Sequence, residues 1–174
     1  MPLVVITGGA GDLGTSLAKA LGDAYTVVGL DQPGKTGQMP VIPADLGSQD
    51  SVNAAMRELR QRYGSRIASV VHLAAYFDFT GEDNPLYQTV NVAGTQRLLA
   101  SLQSFEVEQF LYASTMLVHA LSSPGERIDE STPIAPKWAY PKSKAAAEQV
   151  IREHHGHIHY VLLRLAGVYD ERTS

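Results

Sequence analysis

The sequence of 174 residues has no cysteine, a single tryptophan, and charged residues at only 18% of its positions. Without cysteine, the chain has no disulfide bond, no thiolate metal site and no thiol nucleophile. No apolar run approaches the ~20 residues that span a bilayer, and no run of Lys and Arg offers a surface for nucleic acid or anionic lipid. The segment Met1–Thr7 lacks the basic start of a signal peptide. We therefore expect a cytoplasmic protein that binds neither membranes nor nucleic acid.

The residues that are present alternate between two periodic patterns. Hydrophobic residues make up 44% of the chain, enough for the core of one ordinary domain. Short β-branched runs predict strands at Leu3–Thr7, Thr26–Leu30, Ser69–Leu73, Gln109–Ala113 and Tyr160–Leu165, with Val41–Ile42 as a weaker sixth. Helical periodicity predicts helices at Leu13–Leu21, Gln49–Tyr63, Leu86–Leu102 and Lys137–Glu153. This alternation predicts an α/β fold, in which a doubly wound, mostly parallel sheet has helices on both faces.

A glycine-rich segment joins the first predicted strand to the first predicted helix. Gly9, Gly11 and Gly14 have the G-x-G-x-x-G spacing of the Rossmann dinucleotide-binding loop. In that loop, glycine permits a tight turn and lets the backbone approach a pyrophosphate, which the helix N-terminus stabilises. Asp31 ends the second strand, where a carboxylate would bind the adenosine ribose and repel a 2′-phosphate. The pattern predicts NAD rather than NADP; the alternative is a glycine turn that only packs.

A tyrosine and a lysine stand four residues apart at the start of the last predicted helix. Residues four apart share one face of a helix, so Tyr140 and Lys144 are expected to lie side by side. A nearby cation stabilises a phenolate and draws its pKa towards the range of a general base. The spacing is also common by chance, so a surface pair without a catalytic role is the alternative for this motif alone.

Seven stretches together resemble one known family, in the order in which that family has them. They are Thr7–Gly14, Asp45–Leu46, His72–Ala75, Asn91–Thr95, Leu111–Thr115, Tyr140–Glu148 and Leu163–Leu165. The set resembles the short-chain dehydrogenase/reductase superfamily and, more closely, its extended branch, the NAD-dependent epimerase/dehydratase family. The resemblance spans nearly the whole chain and implies a Rossmann fold with strand order 3-2-1-4-5-6. The implied cofactor is NAD, bound where the strand order reverses.

The resemblance also implies a role for each matching residue. Tyr140 would be the general acid/base, and Lys144 would bind the nicotinamide ribose and lower the pKa of Tyr140. Thr115 would hydrogen-bond the reacting oxygen of the substrate, with Ser114 as the fallback. The implied cofactor contacts are Thr7, Gly8, Gly9, Gly11, Asp12, Leu13, Gly14, Asp31, Asp45, Leu46, Leu73, Ala74, Ala75, Asn91, Tyr140 and Lys144. No metal ligand is implied.

The chain departs from the family pattern in two ways. Met116 and Leu117 follow Thr115, where the sugar-nucleotide dehydratases of the family have an Asp-Glu pair. Neither side chain can transfer a proton, so simple dehydration is disfavoured. The second departure is length: residues 1–174 are expected to form a single NAD-binding domain, with the C-terminal substrate domain of the family absent or truncated.

These observations favour an NAD-dependent oxidoreductase of the extended short-chain type. It would transfer hydride between nicotinamide and a small-molecule secondary alcohol or ketone, such as a sugar or a nucleotide sugar. A nucleotide-sugar epimerase and a dinucleotide-sensing module without turnover are the alternatives. The resemblance further implies a homodimer through helices 86–102 and 137–153, although burial against the chain's own sheet also explains part of their small-residue pattern.

Four other features have an ordinary explanation beside a functional one. The histidine-rich stretch Glu153–His159 is interpreted as a helix end that favours imidazoles, rather than as a metal site. The segment Tyr76–Phe79 is either an aromatic wall for a substrate or a packed surface loop. Trp138 is more easily explained by packing than by substrate binding. Ala120–Pro136, rich in Ser, Pro, Gly and charge, is predicted to be a surface loop.

Overall fold

The computed structural model describes residues 1–78, 80–120, 122 and 125–168. Within these ranges the chain forms eight short parallel strands, six of them in one sheet. The six are β1 (Leu3–Thr7), β2 (Thr26–Asp31), β3 (Val41–Pro43), β5 (Ser69–His72), β7 (Gln109–Thr115) and β8 (His159–Leu165). Their spatial order is β3-β2-β1-β5-β7-β8. Counted along this sheet alone, that is the predicted order 3-2-1-4-5-6, so the Rossmann fold is confirmed.

Two strands of two residues each form a separate small sheet. They are β4 (Arg66–Ile67) and β6 (Glu106–Val107), which pair in parallel just before β5 and β7 begin. These two strands were not predicted from the sequence, because a two-residue strand is too short to show any periodicity. They lie at the amino end of the main sheet, opposite the end that carries the glycine loop.

Helices connect the strands. They are α1 (Asp12–Leu21), α2 (Gln49–Tyr63), α3 (Ala93–Leu102) and α4 (Ala139–His154). A π-helical segment, Tyr87–Val92, leads directly into α3, so the single helix predicted over 86–102 has a wider first part. The predicted bounds of the other helices and of the main strands agree with the structure to within two residues, and the weak candidate Val41–Ile42 is β3.

The sheet is covered unevenly. On one face α2, α3 and α4 pack over the larger core, which includes Phe110 and Tyr112 of β7. On the other face, the smaller core holds Val4 and Ile6 of β1 beneath α1. Among the described residues, no helix has both the length and the hydrophobicity to cross a bilayer. The cytoplasmic location stays a prediction.

Candidate functional site

The glycine loop lies at the carboxyl end of β1 and is packed too closely for side chains. Gly8 has a φ of +69°, a conformation that favours glycine. A Cβ on Gly14 would lie 2.5 Å from the carbonyl oxygen of Gly8, and one on Gly9 would lie 2.7 Å from Cα of Gly29 in β2. The start of α1 therefore sits directly on the loop, so that the first N–H groups of the helix face the carboxyl edge of the sheet.

A cavity of about 910 Å³ opens at this edge, between the ends of β1, β2, β3 and β5. Its volume is at the upper end of the ~300–1,000 Å³ typical of ligand pockets. Eleven of the predicted cofactor contacts line it: Gly8, Gly11, Asp12, Leu13, Gly14, Asp31, Asp45, Leu46, Leu73, Ala74 and Ala75. The strand order reverses at this point, which is where open α/β sheets bind ligands.

Asp31 is half-buried at the end of β2 and belongs to both the loop and the cavity. Its carboxylate accepts the backbone N–H of Ala10 at 2.9 Å and that of Gln32 at 2.8 Å. These bonds fix the carboxylate at the cavity wall. Lys35 lines the same part of the cavity, so one cation also faces this end of it.

The other predicted contacts lie behind or beside the cavity wall. Thr7, Gly9, Asn91, Tyr140 and Lys144 do not line it. Gly9 faces β2, as described above, and the remaining four take part in the polar and aromatic packing that supports the wall. Their direct contact with a cofactor stays a prediction.

Tyr140 lies at the start of α4 beside the aromatic part of the wall. Its ring is half-buried and packs edge-on against Phe77 with 4.7 Å between ring centroids. Phe77 and Tyr76 both line the cavity, so one ring separates Tyr140 from it. Burial, followed by the nearby Tyr87, raises the pKa of Tyr140 above its ordinary value of 10. The expected lowering of this pKa by Lys144 is therefore not what the arrangement produces; desolvation of the phenol is the stronger effect.

Lys144 is one turn further along α4 and is 2% exposed. Its ammonium lies 4.2 Å above the ring of Tyr112, which gives a cation–π contact. Among the described residues no hydrogen-bond acceptor is within bonding distance of Nζ. Burial lowers the pKa of Lys144 to about 7, although the charge of Glu148 opposes this. The protonation state of Lys144 therefore depends on the charged or hydrogen-bonding groups beside its amine.

His72 is a buried histidine that holds the cavity wall from behind. The Thr95 hydroxyl donates to the Asn91 carbonyl at 2.6 Å, so its oxygen accepts from His72 Nε2 at 2.9 Å. The other nitrogen, Nδ1, then accepts the Thr7 hydroxyl at 2.6 Å. Thr7 in turn accepts the backbone N–H of Ala74 at 3.1 Å. His72 is therefore neutral with its proton on Nε2, and burial lowers its pKa to about 3.

Asn91, predicted as a contact to the cofactor or a water, has its side chain occupied by the protein. Its amide oxygen accepts the N–H of Tyr76 at 2.6 Å, and its amide nitrogen donates to the Tyr76 carbonyl at 3.0 Å. The same nitrogen donates to Ser143 Oγ at 2.9 Å, and Ser143 donates to the Tyr140 carbonyl at 2.7 Å. Asn91 thus joins the cavity wall to the start of α4.

Thr115 and Ser114, the two candidates for holding the substrate oxygen, have different surroundings. The hydroxyl of Thr115 accepts the N–H of Leu117 at 3.3 Å, within the turn that follows β7. Ser114 instead donates to the buried carboxylate of Glu148 at 2.5 Å, and Arg164 donates to the same carboxylate at 2.7 and 3.1 Å. Ser114 is thus bonded inside the protein; neither residue lines the cavity, and contact of Thr115 with a substrate stays a prediction.

The buried partners of these residues were not predicted from the sequence. Ser143, Tyr112 and the Glu148–Arg164 pair were not predicted as parts of the site. One signal for the pair was available: Arg164 is a charged residue inside an apolar strand, and such a residue needs a buried partner. Nothing in the sequence indicates that Lys144 and Tyr112 meet, because that contact depends on how α4 packs across β7.

Three of the features that had both an ordinary and a functional explanation are the aromatic segment 76–79, Trp138 and the histidine-rich stretch. Tyr76 and Phe77 belong to the cavity wall, whereas Phe79 lies outside the described residues. Trp138 is 39% exposed and directly precedes α4, where its carbonyl accepts the N–H of Lys142. In the histidine-rich stretch, His155 caps a turn by bonding the carbonyl of Ile158 at 3.0 Å. No cluster of metal-binding side chains is present among the residues that the structure describes.

Residues 4–173 match the NAD dependent epimerase/dehydratase family. The chain belongs to this family. The structure of UDP-glucose 4-epimerase from Thermus thermophilus, solved with NAD, is similar with a TM-score of 0.77 and 31% identity, over 93% of this chain and 54% of that one. A short-chain dehydrogenase/reductase superfamily protein from Agrobacterium tumefaciens, also solved with NAD, has a TM-score of 0.77 and 28% identity, over 93% and 48%.

Two further relatives are named for reactions that differ from each other. The sterol-4-alpha-carboxylate 3-dehydrogenase of Schizosaccharomyces pombe is 31% identical over 136 residues, 76% of this chain and 38% of the relative. An undecaprenol-linked N-acetylglucosamine 4-epimerase of Escherichia coli O157:H7 is 29% identical over 152 residues, 86% and 43%. The chain thus spans about half the length of the family members it matches.

The family cofactor, NAD, agrees with the chemistry of this site. The glycines let the start of α1 pack directly against the loop, and the cavity runs from there past Asp31 to the aromatic wall. A pyrophosphate at the start of α1, a ribose at Asp31 and a ring near Phe77 would use this length.

Proposed function

We propose that this chain is the cofactor-binding and acid/base part of an NAD-dependent oxidoreductase of the extended short-chain type, acting on a secondary alcohol or ketone. One observation carries the proposal: Tyr140 is half-buried against Phe77 of the cavity wall, with Lys144 on the next turn of the same helix. A phenol and an amine thereby lie behind the aromatic wall of the cavity at the carboxyl edge of the sheet.

The residues divide the work between binding and proton transfer. The first backbone N–H groups of α1 bind a pyrophosphate, which the glycines of the loop allow to approach, and Asp31 accepts hydrogen bonds from a ribose. Tyr140 exchanges a proton with the substrate oxygen, while Thr115 orients that oxygen. When the Lys144 amine is protonated, its positive charge stabilises the Tyr140 phenolate. NAD, when bound, supplies the hydride-accepting carbon of its nicotinamide ring.

A nucleotide-sugar epimerase is the second candidate, because the similar Thermus thermophilus protein is named as a UDP-glucose 4-epimerase. An epimerase returns the hydride to the same substrate, so NADH does not accumulate. A dehydrogenase releases one NADH for each alcohol oxidised. Incubating the chain with NAD and a panel of secondary alcohols, sugar acids and nucleotide sugars, while following both NADH absorbance and sugar stereochemistry, distinguishes the two.

The variant Tyr140→Phe tests the role of the phenol. We expect turnover to fall by about 10²–10⁴-fold, the usual contribution of a positioned acid/base, with NAD affinity in calorimetry unchanged within about twofold. Tyr25→Phe removes a hydroxyl from an exposed tyrosine outside the site and is the matched control. Full turnover in Tyr140→Phe would contradict the proposal. Tight NAD binding with no turnover on any substrate would favour the sensing module instead.

A further inference from the structure

His119 is a second buried histidine, placed just after Thr115 and outside the cavity. It is 5% exposed. Nδ1 lies 2.9 Å from the carbonyl oxygen of Thr132, and Nε2 lies 3.2 Å from Nη1 of Arg164. A carbonyl only accepts and a guanidinium only donates, so the proton of His119 must be on Nδ1. This is the tautomer opposite to that of His72.

The Arg164 contact connects His119 to a cluster of three polar side chains, Arg164, Glu148 and Ser114. Arg164 of β8 binds the Glu148 carboxylate of α4 through Nε and Nη2. Glu148 also accepts the hydroxyl of Ser114 in β7. Burial raises the pKa of this carboxyl, but the hydrogen bonds from Arg164 and Ser114 outweigh it, so the pKa lies below its ordinary value of 4.5. This cluster therefore joins β7, β8 and α4 through the Glu148 carboxylate.

The other side of His119 holds the base of a loop. His119 pairs with Ile134 in an antiparallel bridge. The N–H of Ala120 donates to the carbonyl of Pro133 at 2.8 Å, and the N–H of Ala135 donates to that of Val118 at 3.0 Å. We call these two paired segments, 118–120 and 133–135, the neck. The neck begins three residues after Thr115 and ends five residues before Tyr140.

We propose that His119 is a positioning residue that ties the neck to Arg164 and thereby fixes Thr115 relative to Tyr140. The proposal rests on the proposed function, because those two residues are its substrate-oxygen and acid/base candidates. The chain path from Thr115 to Tyr140 passes through the neck, and the only polar side-chain link from the neck to β8 among the described residues is the contact from His119 to Arg164.

The tautomer itself can be measured without any activity. We expect ¹⁵N-detected NMR of the full chain at neutral pH to show a neutral His119 with its proton on Nδ1, and a neutral His72 with its proton on Nε2. The variant His119→Gln assigns the signal by its loss. A His119 that carries its proton on Nε2, or on both nitrogens, would overturn the proposal, because neither form can accept from Arg164.

The tie can be tested by proteolysis. Arg127 is exposed between the two halves of the neck and offers trypsin a cleavage site. Removing a hydrogen bond to a charged group costs enough for about a tenfold rise in local opening. We therefore expect His119→Leu to raise the cleavage rate after Arg127 by about tenfold or more. His119→Gln, whose amide can still accept from Arg164, should stay within about threefold of the parent chain.

His157→Leu is the matched control, since His157 is exposed after α4; its cleavage rate after Arg127 should not change. Equal cleavage of His119→Leu and the parent would overturn the tie. If His119→Leu fails to fold, the comparison of His119→Gln with the parent, together with the NMR tautomer, decides the matter.

The catalytic consequence is a split between turnover and cofactor affinity. We expect His119→Leu to lower kcat by about tenfold, with NAD affinity within about twofold of the parent, because the cavity lies elsewhere; His119→Gln should recover most of kcat. A merely structural role would lower the NAD-binding fraction and turnover together. If the chain has no turnover, the proposed function fails while the NMR and cleavage results still report on His119.

Discussion

At the scale of single residues, Lys144 is an amine buried in the larger core region, only 2% exposed. Its ammonium lies over the Tyr112 ring, beneath α4, and without a hydrogen-bond acceptor among its described neighbours. Burial disfavours the charged form, and the cation–π contact of ~1–2 kcal/mol compensates only in part. The free protein therefore carries a desolvation cost that a bound hydroxyl group would relieve.

This environment predicts an unusual dependence of stability on pH. Because the pKa of Lys144 is lowered from 10.5 to about 7, the unfolded chain binds more protons than the folded one between these values. Stability should therefore rise with pH across that window, by the order of 1 kcal/mol per pH unit. Urea unfolding at pH 7.5, 8.5 and 9.5 should show this gain in the parent relative to Lys144→Met.

The exposed Lys142, on the same helix, provides the control. The difference in unfolding free energy between the parent and Lys142→Met should be flat over the same pH range. A flat difference for Lys144→Met as well would mean that the amine is solvated, contrary to the structure.

The predicted positions of single residues agree with the structure where they rest on local spacing. The i, i+4 spacing placed Tyr140 and Lys144 on one side of α4, and the glycine pattern placed Gly11 and Gly14 at the cavity. The contacts of Lys144 with Tyr112 and of His72 with Thr95 could not be predicted, because they depend on packing between elements that are distant in the chain. Local patterns carry no information about such pairs.

At the scale of elements, the first strand, the glycine loop and α1 behave as one unit. We expect Gly14→Ala to lower NAD affinity by tenfold or more and to destabilise the fold by ~1–3 kcal/mol, because its Cβ would lie 2.5 Å from the Gly8 carbonyl oxygen. The control is Gly37→Ala, where the nearest atom to a new Cβ is a Val41 methyl at 3.5 Å. Calorimetric NAD titration and urea unfolding measure both effects. Unchanged NAD affinity in Gly14→Ala would contradict this role of the loop.

The π-helical segment and α4 form a second functional unit. Between them runs a groove of about 530 Å³, lined by residues that include Gln88, Val92, Lys142 and Ala146. The alanines of α4 in this groove, Ala139 and Ala146, are small enough for another helix to approach closely. This is the surface through which the predicted homodimer would form.

The variant Ala146→Glu tests the dimer. A longer, charged side chain in such an interface would prevent the close approach of the second helix, so we expect dissociation to monomers in sedimentation experiments. Ala54→Glu makes the same change at an exposed site on α2 and should leave the assembly unchanged. A parent chain that sediments as a monomer at all concentrations would contradict the prediction.

Periodicity predicted the long elements well and the short ones poorly. The helix Gln49–Tyr63 was predicted to the residue from its periodicity, and in the structure Ser48 caps its first turn. The π-helical segment Tyr87–Val92 was predicted as ordinary helix, since one additional residue per turn over six residues hardly alters the hydrophobic pattern. Asn91 in this segment and Thr95 just after it also bond residues that are distant in the chain, Ser143 and His72. Local periodicity carries no information about such contacts.

At the scale of the whole molecule, the uneven cover of the sheet leaves one strand exposed. β8 is an edge strand, and Val161 and Leu163 on it are 39% and 40% exposed, whereas Leu162 packs against the larger core. An exposed apolar edge strand favours pairing between molecules. We therefore expect the chain to self-associate as its concentration rises.

The paired variants Leu163→Lys and Leu162→Lys separate the two faces of β8. Leu163→Lys should reduce light scattering at high concentration and change the unfolding free energy by less than about 1 kcal/mol. Leu162→Lys should cost ~2–5 kcal/mol, because it places an amine in the core. Equal destabilisation by the two would show that both faces of the strand are covered.

The small parallel pair of β4 and β6 has a consequence for how the molecule can move. Because Arg66–Ile67 pairs with Glu106–Val107 just before β5 and β7 begin, these two strands are fastened to each other at their starts. In the main sheet, the pairing of β5 with β7 continues to His72 and Tyr112, and the cavity-wall residues Leu73–Phe77 follow it. Rearrangement on ligand binding should therefore be smallest in the doubly paired starts of β5 and β7 and largest in this wall segment.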